Sequence, residues 1–232
     1  GHPDAQNALA TRYFTGNGVA QDTARAIRYF RMAADGLQRV AAYNLATCYY
    51  NGDGIQQDHA LAVQYYRQAA DAGLAKAQLL LAELYEAGEG VEKDIGMALH
   101  YWKLAADQGD PDAQNAFAET TIQQHPDDPD QWGDASKFLA TAAEQGHCDA
   151  QYNFAEVLLT SKQGDPDSLV QAARWFTRAA DQGHVLATYN LAVCYKHGQG
   201  VREDQAEASH YFELAANAGH AAAQYALAWR RY

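Results

Sequence analysis

Apolar and small residues recur along this chain in a fixed order, interrupted by short polar turns. A first stretch opens with Ala, places Leu or Phe four residues on, and follows it with a small residue. Examples are Ala5, Leu9 and Ala10; Ala77, Leu81 and Ala82; and Ala187, Leu191 and Ala192. An aromatic comes next, at Tyr13, Tyr49, Tyr85 and Tyr195. Steps of four residues put these positions on one face of a helix, and the small residue lets a second helix approach. The second stretch carries two large apolar residues and then Ala-Ala. It reads Tyr29-Phe30 with Ala33-Ala34, Tyr65-Tyr66 with Ala69-Ala70, and Tyr101-Trp102 with Ala105-Ala106. It continues as Phe138-Leu139 with Ala142-Ala143, Trp175-Phe176 with Ala179-Ala180, and Tyr211-Phe212 with Ala215-Ala216. The spacing predicts an all-α chain of repeated helix-turn-helix units.

Block starts at Ala5, Ala41, Ala77, Ala113, Ala150, Ala187 and Ala223 are 36 or 37 residues apart. The expected organisation is a preceding repeat's tail at 1–4, full repeats at 5–40, 41–76, 77–112, 113–149, 150–186 and 187–222, and a partial one at 223–232. Within a repeat, turns such as Gly52-Asp53-Gly54-Ile55 and Gly88-Glu89-Gly90-Val91 separate the helices. The first Gly ends a helix in the left-handed region and the second permits the reversal. An Asp then recurs at Asp22, Asp58, Asp94, Asp130, Asp167 and Asp204, suited to cap the free N–H groups opening the second helix. The fourth and fifth blocks replace the glycine turn by His125-Pro126-Asp127-Asp128-Pro129-Asp130 and by residues 161–167. Each carries one extra residue, either shaping a special surface or tolerated as a cheap insertion.

Composition narrows the function. At 232 residues and 48% hydrophobic content the chain can bury a substantial interior. Its formal net charge of −12 argues against nucleic acid and anionic membrane surfaces and favours a basic partner. No stretch has the length of a membrane span, so no direct membrane insertion is expected. Cys48, Cys148 and Cys194 lack zinc or disulfide spacing; Cys48 and Cys194 share one slot, which reads as a small buried position. Without Walker spacing after them, the G-x-G elements are turns and not phosphate cradles. His147, His184 and His220 recur at block ends without metal spacing, and no nucleophile motif occurs. No catalytic residue and no cofactor is expected.

The pattern of Ala, Leu-small, Tyr, G-x-G-V, Asp and aromatic-aromatic-x-x-Ala-Ala resembles the Sel-one-like repeat family, relatives of tetratricopeptide repeats, over essentially the whole chain. The resemblance implies a right-handed α-solenoid whose first helices line a concave face, and a role as a bacterial scaffold or adaptor. Some cysteine-rich relatives have been linked to binding or hydrolysis of β-lactams, but the paired cysteines of that branch are missing here.

By that analogy, positions two, six and nine after each block start share the concave face. The candidate partner-binding set is Tyr43, Thr47, Tyr50, Glu83, Glu86, Asn115, Glu119, Tyr152, Glu156, Tyr189, Lys196 and Tyr225. Tyrosine offers contact area and a polar tip at small entropic cost, and the glutamates suit a basic or aromatic-containing protein segment. The same tyrosines are equally suited to pack between repeats. Asn44, Asn153 and Asn190 at the margin either clamp a peptide backbone or bond within the solenoid. Alternatives are an immunity or inhibitor protein and, from another class, a cell-wall-acting enzyme. Compartment, oligomeric state and partner identity lie outside the sequence. Reversing Glu83, Glu119 and Glu156 to Lys is expected to weaken binding and leave melting nearly unchanged.

Overall fold

The computed structural model describes residues 1–126, 128–161 and 165–229. The described residues form thirteen α-helices and one 3-10 helix, with no strand. The helices are α1 (Pro3–Thr15), α2 (Thr23–Asp35), α3 (Arg39–Asn51), α4 (His59–Asp71), α5 (Ala75–Ala87), α6 (Ile95–Asp107) and α7 (Pro111–Gln124). The 3-10 helix Pro129–Trp132 precedes α8 (Gly133–Glu144), α9 (Cys148–Ser161), α10 (Pro166–Asp181), α11 (Val185–His197), α12 (Gln205–Asn217) and α13 (Ala221–Trp229). The fold is a helical-repeat solenoid. The chain divides into two compact units, Gly1–Ala113 and Gln114–Tyr232.

In the first unit α1–α2, α3–α4 and α5–α6 form hairpins, and α2 and α4 also pack on the helices that follow them. In the second unit α9–α10 and α11–α12 do the same, with α8 against α9 and α12 against α13. Small residues make this stacking possible. Ala46, Ala82 and Ala192 are fully buried, as are Ala33, Ala69, Ala105, Ala142, Ala179 and Ala215 on the second helices. Leu45, Leu81 and Leu191 fill the space between them and are also fully buried. Truncating one of these leucines to Ala in such a packed interior costs about 2–5 kcal/mol. Cys48 and Cys194 are buried free thiols in the expected slot, and burial pushes each up to about 11.

The aromatic following that leucine stacks on the first aromatic of its own second helix. Tyr13 on Tyr29, Tyr49 on Tyr65, Tyr85 on Tyr101 and Tyr195 on Tyr211 lie nearly parallel, with centroids 5.6–6.0 Å apart. The irregular repeats have Thr121 and Leu158 in the tyrosine slot. There the aromatic moves to the leucine slot, and Phe117 meets Phe138 and Phe154 meets Trp175 edge-on. Arg31 and Arg67 donate to the hydroxyls of Tyr49 and Tyr85 on the next hairpin.

The turns follow from two physical demands. Gly16, Gly52, Gly88 and Gly198 end their helices at φ between 66° and 78°. The second glycine also has positive φ, and its role extends beyond the reversal. A Cβ on Gly90 would lie 2.5 Å from the backbone oxygen of His59, at the start of the preceding hairpin's second helix. Gly200 abuts the backbone of Leu169 in the same way and Gly54 abuts the side chain of Thr23, whereas Gly18 has nothing within 4 Å.

Four of the six expected aspartate caps are present: Asp22, Asp58, Asp94 and Asp204 accept from N–H groups in the first turn of α2, α4, α6 and α12. The fifth is a correction. Asp165, not Asp167, caps α10 by accepting from Ser168 N at 2.9 Å, because the helix opens at Pro166, two residues earlier than an Asp167 cap requires. In the fourth repeat Trp132 stands at the N-cap of α8 with no side-chain cap. Its indole N–H donates to His125 O at 2.8 Å, pinning the connector, so His125 sits on a bonded strap and not on a loose loop. The side chain of Asp130, with Asp127, residues 162–164 and Tyr232, lies outside the described residues.

Candidate functional site

In the first unit the candidate stripe runs along α1, α3 and α5, and clefts open between successive first helices. One, of 160 Å³, is lined by Thr11 and Phe14 of α1 and by Tyr43, Asn44 and Thr47 of α3. The next, of 210 Å³, is lined by Tyr50 of α3, Tyr66 of α4, and Glu83 and Leu84 of α5, together with Glu89. Tyr43 stands edge-on to Tyr66, with centroids 5.6 Å apart. Thr47 Oγ1 donates to Tyr43 O and lies 3.1 Å from the Tyr66 hydroxyl. These two residues are therefore wall and floor as much as surface. Burial pushes the Tyr66 phenol up to about 12.

Tyr50 is held more tightly than the sequence suggested. Its hydroxyl donates to Glu89 Oε2 at 3.1 Å and its ring stacks on His59 at 4.9 Å. Glu89 Oε1 lies 2.8 Å from His59 Nδ1. The phenol is raised above its ordinary value, first by that hydrogen bond and then by burial. Gly90 explains this arrangement: its close approach to His59 carries the adjacent Glu89 across to the preceding hairpin. Glu83 and Glu86 are exposed. Surrounding protein, with Asp112, Glu86 and Asp110 nearby, nonetheless holds the Glu83 carboxyl above its ordinary value.

In the second unit several candidates serve as internal joints. Asn153 Nδ2 donates to Asn115 Oδ1 at 2.9 Å, and Asn190 Nδ2 donates to Glu156 Oε1 at 2.6 Å. In the first unit Asn44 Nδ2 reaches Asn7 Oδ1 at 3.4 Å. The three marginal asparagines thus bond between repeats. Burial raises the half-buried Glu156 carboxyl above its ordinary value, although the Asn190 hydrogen bond opposes this. The expectation that reversing Glu156 would leave melting unchanged needs correction: a lysine there removes Asn190's acceptor and places a cation in a half-buried site. Tyr152 packs on Phe176 and stacks on His184 at 4.6 Å; Tyr189 packs on Phe212 and stacks on His220 at 4.4 Å. Burial is the main cause of the raised Tyr152 phenol. Glu119 and Lys196 are exposed, and Tyr225 is 66% exposed.

Two recurring devices escaped the sequence reading. Gln78, Gln151 and Gln224, each directly after a block-opening alanine, donate to the carbonyls of Ala70, Ala143 and Ala216 on the preceding helix. Gln78 and Gln151 accept in turn from Gln108 and Gln182 at 2.7 and 2.8 Å. The repeated Ala-Gln pair was the available signal. His147, His184 and His220 are N-caps, their Nδ1 atoms accepting from the N–H of Ala150, Ala187 and Ala223 at 3.1–3.2 Å. Gln38 fills the same slot through Oε1. Among the described residues no group of three or more His, Cys, Asp or Glu could hold a metal ion.

The Sel1 repeat family model matches residues 3–36, 39–74, 75–110, 148–184 and 185–220, each a hairpin of two helices. The chain belongs to the Sel1 repeat family. Proteins of this family are typically interaction scaffolds and are generally non-catalytic. A Sel1 repeat protein from Oxalobacter formigenes is 29% identical with a TM-score of 0.67, aligned over 92% of this chain and 85% of its own. The protective antigen c5321 of uropathogenic Escherichia coli, with an SLR fold, is 26% identical with a TM-score of 0.66, aligned over 97% of this chain. This chain spans 55% of that protein's length. An immunity protein of Pseudomonas aeruginosa, PA5088, is 18% identical with a TM-score of 0.47, aligned over 93% of this chain and 81% of its own; so slight a likeness carries no argument about role. No curated protein matches the chain significantly. No described helix is long and apolar enough to cross a membrane.

Proposed function

We propose that this Sel1 repeat chain is a non-catalytic scaffold that holds a basic or aromatic-containing segment of a partner protein on the two-six-nine face of its first helices. The observation that carries this reading is the cleft between α3 and α5, where Tyr50, Glu83 and Glu89 present acceptors and aromatic surface side by side. The net charge of −12 adds a long-range field that draws a basic partner. Glu86, Glu119 and Lys196 supply further exposed positions on this face, while Tyr43, Thr47, Asn115, Tyr152, Glu156 and Tyr189 contribute mainly by fixing its shape. An immunity or inhibitor role would use the same surface; no separate observation favours it.

The test compares affinity capture by three proteins from cells of the source organism, read by mass spectrometry. They are the wild type, the exposed-face reversal Glu83→Lys/Glu86→Lys/Glu119→Lys, and the control reversal Glu92→Lys/Glu203→Lys/Glu213→Lys. All six glutamates are exposed, and the two variants carry the same charge change. The face reversal should lose the partner that wild type and control both retain. Equal capture by all three, or equal loss in both variants, would refute the assignment.

A further inference from the structure

The cleft beside Tyr50 has the size and chemistry of a side-chain socket. Its 210 Å³ falls below the roughly 300–1,000 Å³ of small-molecule sites, so one inserted side chain is a better match than a cofactor. Its lining combines apolar surface from Leu80, Leu84 and Ala87 of α5, the rings of Tyr50 and Tyr66, and the carboxylates of Glu83 and Glu89. Apolar surface of this kind accepts a methylene stem while the carboxylates receive a cationic head. The acceptors are placed differently. Glu89 is engaged at both oxygens, Oε2 by the Tyr50 hydroxyl and Oε1 by His59 Nδ1, and so is fixed in position with only its remaining lone pairs to offer. Glu83 makes no hydrogen bond or ion pair among the described residues, and Asp110, Asp112 and Glu86 add negative charge around it.

We infer that this cleft, between α3, α4 and α5, is a socket for a single arginine side chain of the partner protein. The inference rests on the scaffold reading and names the chemistry of its first unit. Arginine fits better than lysine because a planar guanidinium can lie against a tyrosine ring and donate to two carboxylates at once. The chain already uses that pairing internally. Arg67 lies over the Tyr85 ring at 5.8 Å while donating to its hydroxyl, and Arg178 lies over Trp175 at 4.5 Å. A cation in the socket also relieves the crowding of Glu83 by its acidic neighbours.

The experiment titrates the whole chain with N-acetyl-arginine methylamide, and separately with N-acetyl-lysine methylamide, following backbone amides by NMR. Arginine amide should give saturable shifts at Leu80, Leu84 and Ala87, with lysine amide weaker by about fivefold or more. Glu83→Gln should weaken arginine binding about tenfold, while the exposed control Glu92→Gln leaves it unchanged. Both variants alter exposed side chains, and their amide spectra report folding directly. Absence of saturable shifts, equal binding of the two amides, or undiminished binding by Glu83→Gln would each overturn the socket. If partner capture is lost in the face reversal yet arginine amide does not bind, the socket falls and the scaffold reading stands. If capture survives the reversal, the scaffold face itself falls.

Discussion

Replacing Gly90 by Ala, set against the same change at Gly18, separates two costs that the turn glycines bear together. Both residues have positive φ, 68° and 75°. An L-residue there costs about 1–2 kcal/mol, offset by about 0.4–1 kcal/mol from the stiffer unfolded chain. Gly18 has open space around its missing side chain, so Gly18→Ala should lose only that difference, about 0–1.6 kcal/mol. At Gly90 the new methyl would sit 2.5 Å from His59 O, which is helix backbone and cannot rotate away. Separating the turn from α4 adds an overpacking cost of about 1–3 kcal/mol, bringing Gly90→Ala to about 1–5 kcal/mol. Urea melts followed by circular dichroism give the totals. Because solenoid stability is a sum of neighbour interfaces, amide exchange should show the loss concentrated in α4 and α5. The same displacement should pull Glu89 from the Tyr50 hydroxyl. Equal losses for the two variants, within about 0.5 kcal/mol, would refute a tight turn-to-helix contact.

Other predictions test single features. Asp165→Ala should cost about 1 kcal/mol in thermal unfolding and Asp167→Ala only a few tenths, since only the former removes a side-chain cap. Leu37 is 80% exposed and held at φ 62°, so Leu37→Gly should raise stability by up to about 1 kcal/mol; a lower melting temperature would contradict the strain. Burial lowers the His184 imidazole below its ordinary value, more than Asp149 raises it, and Nδ1 must stay unprotonated to accept from Ala187. The unfolded chain therefore takes up a proton first as pH falls. This stability is fully present above pH about 6.5 and lost as pH drops through the lowered folded pKa. His184→Gln, which puts Gln38's cap chemistry in that slot, should flatten the melting temperature between pH 7.5 and 5.5 relative to wild type, a difference on the order of 1 kcal/mol.

The helix pairs, their buried alanines and four of the aspartate caps were legible because each depends on spacing within one repeat. Asp165 was not. An inserted residue left two aspartates in reach, and only the path of the chain through Pro166 chose between them. The candidate face was legible as a stripe but not as a surface. Nothing local distinguishes Glu83, which is exposed, from Glu156, which is half-buried and bonded to Asn190. Glu89 passed as a turn residue, since its partners Tyr50 and His59 lie in the preceding hairpin.

What the sequence alone determined is the repeating unit: a helical period and a glycine turn are set by residues a few positions apart, so the pattern can be read directly. What tertiary structure decided is how one unit meets the next. The glutamine and asparagine bonds, histidine caps packed on tyrosines, and glycines against a neighbouring helix all depend on how closely stacked hairpins approach. That distance is set by side-chain volumes across an interface between successive repeats, whose equivalent positions lie some 36 residues apart in sequence, and only there do spare surface and structural joint become distinguishable.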